Sequence, residues 1–139
     1  MSSDRRLLLV RVASRGVFVA SGGVFVAFGL GKFVNHASEL ASFKAYGLPA
    51  PELFVLVIGV VEVVGGVLLI AGVYTSLAAL VLAGDMVGAI IVSGVAKGEI
   101  VSLTLAPAEL AAMLIVIWAG PGAHRLGRGS RPDAPRAAP

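Results

Sequence analysis

The sequence predicts an all-α fold: a polytopic membrane four-helix bundle with both termini in the cytoplasm and a short interfacial helix between the first and second spans. Three observations carry that expectation. The 139 residues are 58% hydrophobic and 14% charged, with a mean hydropathy of +0.96. A soluble domain carries about 25% charged residues, so the charge here is too sparse to cover a water-facing surface. The apolar residues fall in four long runs, and the arginines gather ahead of the first run and behind the last.

A membrane helix needs about 20 mostly apolar residues at 1.5 Å rise each. The first run extends from about Gly16 to Val34 and closes on FGLGKFV. Ahead of it, Asp4-Arg5-Arg6-Leu7-Leu8 has a twin-arginine look. Arg11 and Arg15 interrupt that stretch and no small-residue cleavage pattern follows, so an uncleaved first helix is expected. Between Asn35 and Glu52, Leu40, Phe43 and Tyr46 recur at helical spacing, with Gly47 placed to stop a helix and Pro49 and Pro51 beyond it. The segment reads as an amphipathic helix on the outer interface, capping the bundle or merely linking two spans.

The second run spans about Leu53 to Val73 and ends in a tight Tyr74-Thr75-Ser76 turn. The third spans about Leu77 to Ala96 and the fourth about Ile100 to Ala119. Pro107 lies a third of the way along the fourth, tolerable in lipid where neighbouring groups satisfy the freed carbonyl. Residues 1–122 thus form the transmembrane domain. Residues 123–139 form a basic, proline-rich cytoplasmic tail, expected to be disordered at the anionic inner leaflet.

Arg5, Arg6, Arg11 and Arg15 precede the first span, and Arg125, Arg128, Arg131 and Arg136 follow the last. The opposite loops hold only Lys44 and Lys97, with Lys32 near the end of the first span. The positive-inside rule then places both termini in the cytoplasm of a plasma (inner) membrane protein, which requires an even number of spans. The net charge of +3 is read as setting this orientation, with the lipid bilayer as partner and no nucleic acid. Absence of cysteine excludes a disulfide framework, a thiol relay and cysteine-ligated clusters.

The informative charges lie inside the spans. Glu62, Asp85 and Glu109 sit near the middle of the second, third and fourth, where a charge costs roughly 2.5–3.5 kcal/mol on insertion scales. Gly59, Glu62 and Gly66 share a helical face. Asp85 lies within Gly84-Asp85-Met86-Val87-Gly88, and Glu109 is flanked by Ala106 and Ala112. Small residues mark close helix contacts in membranes, so all three carboxyls are expected on or beside packing faces. In the first span Arg15, Gly22, Gly29 and Lys32 form one stripe. Lys32 stands about two turns nearer the outer surface than the acids, able to reach inward to one of them or to snorkel outward. Arg15 is either an orientation anchor or a carboxylate partner.

With so few bases for three acids, some acids are expected to be neutral, and a protonated carboxylic acid can donate a hydrogen bond to a carbonyl such as a quinone's. Three roles stay open: packing only, a small-molecule site, or a proton or ion path. His36 lies beyond the outer end of the first span, beside Asn35, and could line the mouth of an outward pocket. His124 lies at the opposite side, so the two cannot clamp one haem. The three acids lack a histidine to complete a metal site, and no metal is expected. No hydrolase triad or phosphate-binding loop is present.

Arg15 opens the first span and Gly29-Leu30-Gly31-Lys32-Phe33 closes it. Phe43 with Gly47-Leu48-Pro49 follows, then Glu62 with Gly65, Gly66 and Leu68-Leu69-Ile70-Ala71-Gly72, then Glu109 and Gly120-Pro121-Gly122. In this order and spacing the chain resembles the DoxX family of small four-helix membrane proteins, from about Arg11 to Gly122. It departs from the family in its ending, Ala123-His124-Arg125-Leu126, and in Asp85. The resemblance implies a membrane subunit associated with oxidoreductases, since relatives include a subunit of thiosulfate:quinone oxidoreductase. In mycobacterial relatives a complex joins the membrane protein to a superoxide dismutase and a thiosulfate sulfurtransferase. It thus implies soluble oxidoreductase partners at the arginine-rich termini, a possible quinone cofactor, and Arg15, Lys32, Glu62 and Glu109 as the matching positions. The chain would be a subunit without a redox centre of its own. A proton-coupled or small-solute transporter and a purely structural scaffold are the alternatives, and homo-oligomerisation stays open because Gly84/Gly88-type faces pack within or between chains.

Overall fold

The computed structural model describes residues 2–119. Helix α1 runs from Ser3 to Val34, α2 from His36 to Ala45, α3 from Pro51 to Ala71, α4 from Thr75 to Ala89 and α5 from Ile100 to Ala119. A π-helical turn, Ile90–Val95, continues α4. Among the described residues there is no strand, and four helical segments are long and apolar enough to cross a membrane. The expected tail, His124, the closing Gly120-Pro121-Gly122 and the four C-terminal arginines lie outside the described residues.

The boundaries follow local chemistry. Gly47 accepts φ +74° directly after α2, where an L side chain is strained. Pro51 opens α3 at a position where its missing N–H would be unpaired in any case. Gly72, at φ 73°, ends α3, and its N–H returns to the Leu68 and Leu69 carbonyls. At the start of α5 the Glu99 carboxylate accepts the N–H groups of Val101 (3.1 Å) and Ser102 (2.7 Å), which serves as the cap. Pro107 removes one rung of α5 without ending it.

One boundary differs from expectation. The first helix begins at Ser3 rather than near Gly16, because arginine and leucine are good helix formers and hydropathy measures burial in lipid, not helicity. Its 32 residues span about 48 Å, against about 31 Å for the 21 residues of α3. The N-terminal part therefore overhangs the bundle, with Leu7, Leu8, Leu9, Val10 and Val12 exposed.

Helices α1 and α3 pack closely along a seam of glycines. A Cβ placed on Gly22 would lie 2.7 Å from the Gly66 carbonyl oxygen, and one on Gly66 would lie 2.6 Å from that of Gly22. One heptad away, a Cβ on Gly29 would meet the Gly59 oxygen at 2.8 Å. Such contacts let backbones touch, and in lipid that packing drives association. Gly65 instead receives the Leu82 side chain of α4, whose atoms would lie 3.0 Å from a Cβ placed there. At the far end of the bundle Phe18, Leu69, Ala79, Met113 and Val116 close a dry core. At the other end, where α1 finishes and α5 begins, the helices enclose a cavity beneath α2.

The Gly84/Gly88 expectation is corrected here. Neither glycine has any atom within 4 Å of a would-be Cβ, and both line the cavity instead of a helix contact. The buried face of α4 is built of Ala78, Ala79, Leu82 and Ala83, on the other side of the helix, and Leu82 meets Gly65 of α3 there.

The seam makes a direct prediction. Gly66→Ala forces a methyl against a backbone oxygen and should destabilise the protein by about 1–3 kcal/mol, whereas Gly23→Ala, which meets nothing within 4 Å, should be neutral or stabilising by up to about 1 kcal/mol. Thermal melting of both variants in detergent checks the contrast.

Candidate functional site

The glycine seam determines the register in which α1 and α3 meet. Gly29 stands opposite Gly59 and Val63, so the Lys32 Cβ comes beside Gly59, 3.3 Å from a Cβ placed there. From that point the flexible stem runs toward the bundle centre, and Nζ donates to Glu62 Oε2 at 2.8 Å. Both side chains are buried, at 10% and 6% exposure. Of the two routes open to Lys32, the inward one is taken. The ion pair is the one salt bridge among the described residues, and at low dielectric two such charges attract far more than in water.

The cavity has a volume of about 510 Å³, within the range of small-molecule sites. Lys32, Glu62, Asp85 and Glu109 line it together, each from a different helix. The Asp85 carboxyl stands beside that of Glu62, within electrostatic reach of Lys32. Asp85 Oδ2 and Glu109 Oε2 are buried and accept no hydrogen bond from the protein. Buried polar atoms are nearly always paired, so two orphans facing one cavity identify it as the place where chemistry is left unfinished. Phe25, Phe28, Phe43 and Phe54 supply apolar wall.

Two of the candidate residues are not brought to this cavity. Arg15 is exposed on α1, about 25 Å along the helix from Lys32, and is no partner of these carboxylates. His36 is half-buried at the first position of α2 and does not line the cavity. The α2 helix does turn Glu39, Ser42, Phe43 and Tyr46 into the opening, so this segment caps the bundle.

Several lining groups were not singled out from the sequence. Ser93 donates to the Ala89 carbonyl at 2.7 Å and pairs with Ser102 at 2.6 Å, in a buried hydroxyl contact joining the π-helical turn to α5. Gly94 permits that approach, since a Cβ there would lie 3.1 Å from Leu103 and 3.3 Å from the Ser102 backbone. A π turn holds one residue more than an α turn and is frequent at functional sites. Here it turns Val92 and Ser93 to the cavity. The available signal was two hydroxyls isolated in otherwise apolar runs.

At the mouth the electrostatics are those of an acidic rim. Burial draws the Glu99 carboxyl upward, but the hydrogen bonds from the Ser102 side chain and from the Ser102 and Val101 N–H groups prevail and hold it below the ordinary carboxylate range. Burial, with the charges of Glu99 and Glu39, pushes the Tyr46 hydroxyl above its usual value, against the opposing effect of the Ser42 and Ser93 hydroxyls on its oxygen. Tyr46 therefore stays a neutral donor at the opening.

The family model of DoxX matches residues 7–94. The chain belongs to the DoxX family. A similar protein is an uncharacterized membrane protein of Mycobacterium tuberculosis, 32% identical over 103 residues, covering 62% of this chain and 61% of the relative. The chain thus spans about three fifths of that relative's length. No solved structure matches. The DoxX match takes in α1, α2, α3, α4 and most of the π-helical turn, and with them Lys32, Glu62 and Asp85. Glu99, Ser102 and Glu109 come from beyond it, so α5 completes the DoxX cavity with residues outside the matched segment.

Glu62→Gln removes the carboxylate that pairs with the buried Lys32 ammonium and should cost about 3–5 kcal/mol. Replacing both partners, Lys32→Met with Glu62→Leu, should recover most of that loss in the same melting assay. Glu99 gives a pH signature. Its folded-state value is depressed, so its contribution is present above the ordinary carboxylate range and disappears as pH falls through the depressed value. Glu99→Ala should therefore cost roughly 1 kcal/mol near neutrality, and the melting difference from the parent chain should close on acidification.

Proposed function

We propose that this DoxX protein is a bacterial plasma-membrane subunit of a redox assembly, holding a quinone head in the polar cavity and meeting soluble oxidoreductase partners with its arginine-rich cytoplasmic termini. The observation that carries this reading is the meeting of Lys32, Glu62, Asp85 and Glu109 in one cavity with aromatic walls and two unpaired carboxyl oxygens. A quinone carbonyl accepts hydrogen bonds and donates none, so it needs donors. Lys32 gives one N–H to Glu62 and keeps two. The Tyr46 hydroxyl is a second donor. The phenylalanine wall suits the flat ring.

A bound quinone would supply the redox chemistry, and the protein's own groups would orient it and exclude lipid. Partners of the superoxide dismutase or thiosulfate sulfurtransferase type belong to this proposal, as does the orientation that places Arg5, Arg6, Arg11 and Arg15 in the cytoplasm. The carboxyls on three spans also favour a second reading, a proton-coupled path. The packed core of Phe18, Leu69, Met113 and Val116 beneath the cavity supports the binding reading over it, because a path has to cross that core.

Solvent extraction of the purified protein should yield about one quinone per chain, and titration of the stripped protein with a short-chain quinone should saturate, with affinity reduced about tenfold or more by Lys32→Met/Glu62→Leu. Lipid alone in the extract and no saturable titration would sink the quinone assignment.

A further inference from the structure

We propose that the same cavity is a receptor for an organic cation with an apolar, aromatic-compatible body. The inference rests on the premise of the proposed function that the cavity takes a ligand, but it calls for the opposite chemistry: acceptors and negative charge rather than donors.

Charge is the first argument. Five carboxyls line the cavity, those of Glu39, Glu62, Asp85, Glu99 and Glu109, and one ammonium, that of Lys32. The ammonium is taken by Glu62. Asp85 and Glu109 below, and Glu39 and Glu99 at the mouth, form no ion pair among the described residues. Glu109 is the sharpest case, at 9% exposure, with its Oε2 buried and without a hydrogen-bond partner in the protein. A buried carboxyl without a base is costly, and a ligand cation placed beside it removes that cost. A mouth of the same sign draws cations in and concentrates them.

The walls say what kind of cation. Phe25, Phe28, Phe43, Tyr46 and Phe54 surround the space, and aromatic faces attract organic cations, most strongly when both are desolvated. An inorganic ion would need several oxygens converging at bonding distance. No group of three or more acidic or histidine side chains is placed to hold a metal ion among the described residues. Dispersed carboxyls and aromatic faces match a bulky cation whose charge is spread over its body.

Tetraphenylphosphonium is a suitable probe, titrated calorimetrically into the full chain in nanodiscs of zwitterionic lipid. Saturable binding near one per chain is expected, beyond the partitioning measured with empty nanodiscs. Glu109→Gln should weaken it about tenfold or more, with Glu52→Gln, an exposed acid outside the cavity, leaving it unchanged. Triphenylphosphine oxide, a neutral molecule of similar aromatic bulk, should bind at least about tenfold more weakly. If Glu109→Gln fails to match the parent chain in thermal melting, Asp85→Asn takes its place with the same expected loss. Absence of saturable binding, equal binding of the neutral analogue, or unchanged affinity in a folded acid variant each overturns the inference. A chain that binds quinone but not the phosphonium overturns this inference alone, and one that binds the phosphonium but not quinone overturns the quinone assignment alone.

Discussion

Everything at the cavity depends on two helix backbones being allowed to touch. Gly22 against Gly66 and Gly29 against Gly59 bring α1 and α3 together so closely that neither helix can rotate or slide without a clash. That fixed register carries Lys32 to Glu62. A lysine near a helix end has easier options in a bilayer, since its long stem can lift the ammonium to the headgroups. Here it is held inward by a partner whose position the seam determines. The ion pair is thus a consequence of van der Waals packing, and its geometry reports on the seam.

The pairing also divides the bundle. On one side of it, phenylalanine, leucine and methionine fill the space and leave nothing polar to satisfy. On the other, Lys32 of α1 meets carboxyls and hydroxyls from the other helices in a cavity that the protein does not fill. Membrane helices gain little from burying apolar groups against one another rather than against lipid, so polar groups retained in the interior reflect what the cavity binds or arranges. The Lys32–Glu62 pair supplies local neutrality. Asp85 and Glu109 are what remains after that neutrality is subtracted, and they give the cavity its chemical character.

Much of this was legible in the chain, for identifiable reasons. Span number followed from hydropathy, and the inward acids were recognisable because lipid tolerates no other place for them. The stripe of Gly22, Gly29 and Lys32 was readable from helical spacing, and the structure turns it toward α3, with Lys32 taking the inward of its two routes. Gly84 and Gly88 show where spacing misleads: a pair of glycines leaves room, and whether another helix or a cavity takes that room is decided by the neighbours. Arg15 shares the stripe with Lys32, but a shared face says nothing about distance along the axis. Glu99, Ser93 and Ser102 escaped notice because their placement depends on a local departure from α-helical geometry.

That departure constrains how the sequence can vary. The π-helical turn at Ile90–Val95 is the footprint of one residue more than a regular helix would hold. Substitutions within it alter side chains one at a time. A single deletion would do something different in kind, because it would remove the extra residue, return the turn to ordinary α geometry and abolish the widening that turns Val92 and Ser93 to the cavity. The Ser93–Ser102 hydroxyl contact would go with it, while the Glu99 cap, made to the neighbouring Val101 and Ser102, would stay. In this stretch the number of residues matters as much as their identity, because the widened turn exists only while its extra residue is there.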